Sequence, residues 1–412
     1  MHIRPYDPTQ DEEAVYRIWV EIGWLDRGKD EQRQAMSVFI KGCQALVAEV
    51  RGEAESLTLT TPATLRYQNE TLEFSAVTGV MTSLITRKQG LAGRVTARAI
   101  ANAARDGALV TGLGIFDQGF YDKLGFGNMP YHHAFSFDPE TLRVDISPRI
   151  PHRLDQDDWD AAHQNRLTRL QGHGSCSLIP AEVTQSEMMW SENGFGLGYF
   201  NEASGELTHH MWLSTENQGH GPYNVWWWAY QNGEQLMELL GLLKTLSNQV
   251  YTVRLTEPPQ IQFQDLLKQP FRHRQTTDKS KYENRAGSSS YYQVRMLDIP
   301  GCIAKTHLEC EPLRFNLTLS DPIARYLDDD LTWRGTGGHY IVELGPDSHA
   351  ELGNQPTWPT LSASIGAFTR LWLGVRPASS LTITDTLAGP KSLIETLDRA
   401  LRLPTPNLDW GF

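Results

Sequence analysis

The sequence predicts an α/β protein with an α+β C-terminal part, laid out as three domains. Three observations lead there. The order strand, helix, strand occurs twice, around residues 71–115 and again around 223–255. A loop rich in Pro, Arg and Asp at 145–158 and a polar, Ser-rich segment at 276–290 interrupt the chain, which sets expected domains at 1–147, 148–285 and 286–412. A chain of 412 residues also exceeds what one hydrophobic core usually fills.

In the first stretch, residues 11–20 read as a helix, 45–49 as a short apolar strand, and 57–66 with 71–81 as a hairpin. The hairpin runs into Arg87-Lys88-Gln89-Gly90. From there Leu91, Val95, Ala99, Ile100 and Ala103 recur at helical spacing, and Gly107 stands where a helix C-cap belongs. Residues 108–115 suit a buried strand, and 121–124 a short helical turn. The middle stretch offers a strand at 223–230 carrying Trp226, Trp227 and Trp228, a helix at 234–247 and a strand at 250–255. Beyond Tyr291 come short strands at 293–297, 313–319, 338–344 and 381–383, with helices at 363–373 and 391–401.

Composition narrows the function. No run approaches the ~18 apolar residues that span a bilayer, and the start of the chain lacks a basic segment followed by an apolar one, so a cytoplasmic protein without membrane partners is expected. Cys43, Cys176, Cys302 and Cys310 are scattered, with no CxxC pair, which speaks for reduced, buried thiols and against a zinc site. His132-His133 and His209-His210 point opposite ways along strands and do not suggest a shared metal. A net charge of -12, from 37 Lys plus Arg against 49 Asp plus Glu, repels nucleic acid and welcomes cationic small molecules.

The chemistry concentrates between residues 80 and 127. The loop Arg87-Lys88-Gln89-Gly90-Leu91-Ala92-Gly93 joins a strand to a helix. Its glycines let backbone approach a ligand, free N–H groups at the helix start point outward, and two cations add charge, so it can cradle a pyrophosphate. Alone, such a loop is equally a capped turn. It follows Val80-Met81-Thr82, and some twenty residues after the loop comes Ile115-Phe116-Asp117-Gln118-Gly119-Phe120-Tyr121-Asp122-Lys123-Leu124-Gly125-Phe126-Gly127.

The spacing Arg-x-x-Gly-x-Ala resembles the pantetheine-pyrophosphate motif of the GNAT acyltransferase superfamily, and the later run resembles its second signature, where Tyr followed by Gly, aromatic and Gly closes the cofactor cleft. Most of the chain resembles the enhanced-intracellular-survival (Eis-like) branch: two GNAT-like domains followed by a sterol-carrier-protein-like α+β domain. Within the third, Asp321-Pro322, 338–344, Leu371-Trp372-Leu373-Gly374 and Leu397-Asp398-Arg399-Ala400 carry the likeness, as does the terminal Phe412.

The resemblance implies an N-acetyltransferase that takes acetyl from acetyl-coenzyme A, without a metal, and passes it directly to a primary amine of a polyamine, an aminoglycoside-like molecule or a lysine side chain. It implies that Val80, Met81 and Thr82 pair with the pantetheine arm, that Arg87 to Gly93 hold the pyrophosphate, and that Phe116 and Gly119 border the cleft. Tyr121 would be the general acid, unless it only packs with Phe116, Phe120 and Phe126. The base would be the Phe412 α-carboxylate, whose ordinary pKa of about 3.3–3.7 calls for burial or a water relay. Gly411 stands where an acidic residue would add charge toward the amine. Trp24 and Asp26, after the first helix, could offer an aromatic wall and a carboxylate to a cation. The branch forms hexamers, so a homo-oligomer is implied. The rival reading is a carrier of apolar ligands that works through the third domain.

Overall fold

The computed structural model describes residues 2–117, 119–269 and 279–412; Gln118 and the 276–278 part of the expected linker lie outside the described residues. The chain is α/β and α+β, built on three sheets. The first has the order His2–Pro5, Gln44–Val50, Glu53–Tyr67, Glu70–Thr82, Val110–Gly114, Tyr292–Met296, Gly127–Asn128, with Cys176–Leu178 paired to one end of Glu53–Tyr67. The second runs Arg285–Ser289, His132–Phe137, Val253–Thr256, Tyr223–Ala229, Leu207–Thr215, Phe195–Phe200, His152–Leu154. The third comprises His349–Leu352, Gly338–Leu344, Leu313–Ser320, Thr360–Ser364 and Leu387–Ala388.

The sheets do not change over at residues 147 and 285. His132–Phe137 already belongs to the second sheet, and Tyr292–Met296 returns to close the first against Val110–Gly114. Part of the Ser-rich segment expected as linker is the edge strand Arg285–Ser289. One expectation is corrected: 381–383 is no strand but part of the helix Ala378–Thr384. Its buried positions, Ala378 and Leu381, are three apart, while Ile383 faces solvent, so helical periodicity outweighs the β-branched composition.

The first two sheets share a local construction. In each, a parallel pair of strands joined by a helix starts together and then diverges. Glu70–Thr82 pairs with Val110–Gly114 only from Phe74↔Val110 to Val77↔Leu113. Tyr223–Ala229 pairs with Val253–Thr256 only at Tyr223 and Asn224. At the point of divergence each long strand carries one extra residue, Thr78 in the first and Trp226 in the second, as a bulge against its antiparallel neighbour. A bulge bends its strand and ends the pairing, which opens a V between the strands.

The third sheet leans on the first rather than standing apart. Helix Ile365–Trp372 crosses the first sheet with Tyr67 stacked on Trp372 at 4.3 Å, and Thr369 Oγ1 accepts from the Met296 N–H at 3.1 Å. One apolar core runs through both, from Leu57 and Leu59 to Phe315 and Phe368.

Candidate active site

The V in the first sheet is a cleft of about 590 Å³. One wall is 77–82 and the other Gly114 to Phe116, with Tyr121, Arg87, Trp24, Tyr291 and Phe412 around it. Beyond Val77 the wall strand has no ladder on its cleft side, so its backbone is free to pair with an extended ligand. Of the three strand residues named from sequence, Met81 sends its side chain into the core, while Val80 packs beside the Tyr121 cluster.

At the helix end, Lys88 (φ 62°) and Gly90 (φ 80°) both turn left-handed, and Gly90 caps Leu91–Arg105 without any side-chain cap. A Cβ at Gly90 would meet nothing, which leaves the first-turn amides open to an anion. Arg87 lines the cleft; Lys88 and Gln89 are exposed beside it. Leu91 is buried against Val95 and Ala99, and a Cβ at Gly93 would lie 3.5 Å from the Tyr326 ring, so these two positions serve helix packing. The equivalent helix of the second sheet, Gly233–Thr245, is closed to anions: Asn232 caps it through Gln235 N–H at 3.0 Å, and Glu234 stands in its first turn. Of these two helix starts, the one in the first sheet is left open to an anion.

Tyr121 lies at the cleft floor in the turn Tyr121–Leu124, edge-on to Phe120 and Phe126. Burial, with Tyr291 and Asp117 nearby, pushes its hydroxyl up to about 12, so it stays protonated at neutral pH. The turn is held from below. Gln293 donates to Asp122 at 2.7 Å, and buried Arg295 bonds the Leu124 carbonyl while paired to Asp321 at 2.6 Å. Phe116 is 90 % exposed at the mouth, and Gly119 (φ 94°) follows in the same loop.

The chain's last residues enter this site. Asn407 N–H bonds the His173 carbonyl at 3.0 Å, Asp409 takes two bonds from Arg169 at 2.6 and 3.0 Å, and buried Trp410 lies 3.7 Å under the Arg166 guanidinium. Tyr292 Oη donates to the Trp410 carbonyl at 3.2 Å. Phe412 then packs its ring by Phe74 and Tyr292, and its terminal oxygen comes so near Gly114 that a Cβ there would lie 2.8 Å away. Glycine at 114 leaves room for both this oxygen and the Tyr291 hydroxyl.

On the other side of Phe412 opens a chamber of about 480 Å³. Trp24, Thr78 and Phe412 border both spaces, so cleft and chamber meet at the chain terminus. Trp24 is therefore on the site, whereas Asp26 is exposed and bonds Gln32, through which alone it reaches the chamber wall. Among the described residues no three His, Cys, Asp or Glu side chains cluster as metal ligands. His209 bonds Glu238 at 3.1 Å, and His210 bonds Asn165 at 2.7 Å.

The family model of the acetyltransferase (GNAT) domain matches residues 2–129. The chain carries a GNAT acetyltransferase domain. It is accordingly an acetyl-CoA-dependent acetyltransferase, and the cleft with its uncapped helix suits that co-substrate. No curated protein sequence matches this chain. Several solved structures share its fold from end to end. A conserved protein of Enterococcus faecalis V583, described as a probable N-acyltransferase, superposes with a TM-score of 0.80 at 15% identity, over 100% of this chain and 99% of its own. A GCN5-related N-acetyltransferase from Kribbella flavida gives 0.72 at 16%, over 100% and 98%. Eis1 from Mycobacterium abscessus gives 0.74 at 14%, over all of both chains. At such identities the likeness is one of fold. It extends beyond the GNAT domain to the second and third sheets. Among the described residues no helix is long and apolar enough to cross a membrane.

Residues missed in the sequence are those brought in from far away. Gly114, Thr78, Tyr291, Glu187 and Trp190 all line the site, and Arg169 anchors the tail. The signal for Gly114 was present: Gly112 and Gly114 inside a buried strand mark a close backbone approach.

Proposed function

We propose that the protein transfers acetyl from acetyl-CoA to a primary amine of a cationic small molecule or a lysine side chain, directly, with both substrates bound together. The observation that carries this reading is the meeting of cleft and chamber at Phe412, beside Tyr121's cleft floor. The division of labour follows from what each group can do. Bound acetyl-CoA supplies an electrophilic thioester carbonyl. The free edge of 78–82 orients the pantetheine arm and turns backbone N–H groups toward that carbonyl oxygen, where negative charge develops. Arg87 and the Leu91–Arg105 helix start hold the pyrophosphate. The Phe412 carboxylate takes the proton that the ammonium must lose before its nitrogen can attack. Tyr121 Oη gives a proton to the departing sulfur.

The whole-chain fold likeness to Eis1 supports placing the protein in the Eis-like branch, with a sterol-carrier-like third domain and a homohexameric assembly as that branch's corollaries. Domain limits of 1–147, 148–285 and 286–412 then describe the order of folding units, with single strands exchanged between them. A cytoplasmic enzyme without nucleic-acid or membrane partners accords with the charge of -12.

The test is release of free thiol from acetyl-CoA in the presence of polyamines, aminoglycosides, arylalkylamines and lysine peptides. Turnover with at least one amine is expected. No turnover with any of them, together with tight fatty-acid or sterol binding, would overturn this reading in favour of an apolar carrier. The tail's commitment to the first sheet supports the enzyme.

A further inference from the structure

The walls of the chamber beyond Phe412 are aromatic. Trp19 and Trp24 meet edge-on at 5.3 Å, Trp19 and Trp190 lie 5.8 Å apart, and Phe39 meets Trp190 at 5.3 Å. The buried Trp19 indole N–H has no partner among the described residues, in a wall that a ligand would touch. Such a donor, desolvated and unpaired, is costly until a ligand acceptor or π-face satisfies it.

The charges of the chamber are fewer than its residues suggest. Glu187 lines it, yet is bonded by Arg166, a fully buried guanidinium held between the rings of Trp227 at 4.2 Å and Trp410 at 3.7 Å. Arg166 also donates to Thr184 at 3.0 Å, so it cannot swing away to release the carboxylate. Glu192 is exposed, at the outer rim. Asp26 is exposed and does not line the chamber, its carboxylate accepting only from Gln32 Nε2 at 3.4 Å among the described residues. With Glu187 paired and Glu192 out at the rim, the carboxylate of Phe412 is, among the described lining residues, the unpaired negative charge that stands beside the aromatic walls.

We propose, resting on the acetyltransferase reading above, that the acceptor is a monoamine on an aromatic body, an arylalkylamine, rather than a polycation. Its ring packs among Trp19, Trp24, Phe39 and Trp190, and its single ammonium points to Phe412. Tryptophan faces favour both a ring and one adjacent cation. A polyamine or aminoglycoside would bring further ammonium groups among these rings, where among the described residues the one other unpaired lining carboxylate is Glu192 at the rim, and burying an unpaired charge is strongly unfavourable.

The experiment measures kcat/KM for acetyl transfer by the full chain to phenethylamine, tryptamine, hexylamine, spermidine and kanamycin, with calorimetric binding of the same amines. The arylalkylamines should exceed spermidine and kanamycin at least about tenfold, and hexylamine should fall between. Trp190→Ala should raise KM for phenethylamine about tenfold or more, with a smaller change in kcat. Spermidine or kanamycin as equal or better substrates would overturn the inference, whether or not the variant folds. If no amine turns over, tighter binding of phenethylamine than of spermidine keeps the acceptor class and overturns the transfer chemistry, while the reverse order overturns both.

Discussion

Gly114→Ala probes the seat of the chain terminus with a single methyl group. The new Cβ would stand 2.8 Å from the Phe412 terminal oxygen and 2.8 Å from the Tyr291 hydroxyl, where ordinary contact begins at 3.4 Å. Both must retreat by about 0.6 Å. Tyr291 is half exposed and can turn outward, but the terminal carboxylate is fixed by the Asp409 and Trp410 anchors behind it and has little slack. Since a misplacement near 1 Å at the reacting group can cost ~10²-fold, kcat should fall about 10- to 50-fold. Stability should change by less than ~0.5 kcal/mol, because the site is an open strand end and alanine tolerates strand geometry. Steady-state thiol release with thermal melts measures both. The same change in a chain lacking Phe412 should add no further loss, as coupled residues require. An unaltered kcat in Gly114→Ala, at normal stability, would refute the seating of the carboxylate.

Tyr121→Phe should lower kcat by about 10²–10⁴-fold with little change in acetyl-CoA affinity. Because burial pushes this hydroxyl up to about 12, the native enzyme's kcat should show no decline from its ionisation below pH ~10; an alkaline limb near 9 that vanishes in Tyr121→Phe would contradict this. Arg169→Ala leaves Asp409 buried with only the Cys176 N–H at 3.2 Å, a loss of about 3–5 kcal/mol that should appear as an unseated tail, read as faster removal of Phe412 by carboxypeptidase. Stability should fall as pH drops below about 6.5, since burial lowers His132 to about 4 and His210 to about 3 and the unfolded chain then binds protons the folded one refuses. Each contributes a slope near ~1.4 kcal/mol per pH unit until its folded value is reached, and His210→Gln should flatten the denaturation profile in that window.

Local chemistry made the cofactor side legible in the sequence. The helix Leu91–Arg105 announces itself by apolar spacing, and the left-handed Gly90 before it by composition. The other side was legible only in Trp24 and Phe412, because Thr78, Phe39 and Trp190 join them by tertiary packing alone. For the same reason Tyr292–Met296 read as the start of a third domain: its alternation is that of any buried strand, and nothing local says that its partner is Val110–Gly114. Asp26 was chosen for its charge near the first helix, and its exposed carboxylate stands one side chain away from the chamber, accepting from Gln32 Nε2 at 3.4 Å. Helix Ala378–Thr384 was hidden by its threonines and isoleucine, residues that favour strands until a buried face decides otherwise.

The central claim is that one active site is built from both ends of the chain, with the Phe412 carboxylate as base. Converting that carboxylate to a primary amide by peptide ligation removes the charge and the proton acceptor while keeping the ring, the tail and the fold. Single-turnover acetyl transfer to the best amine, compared between amidated and native protein with acetyl-CoA bound to saturation, tests it most directly. The transfer rate should fall about 10²–10⁴-fold at unchanged acetyl-CoA affinity; an amidated enzyme that transfers acetyl at the native rate would rule out the Phe412 carboxylate as base.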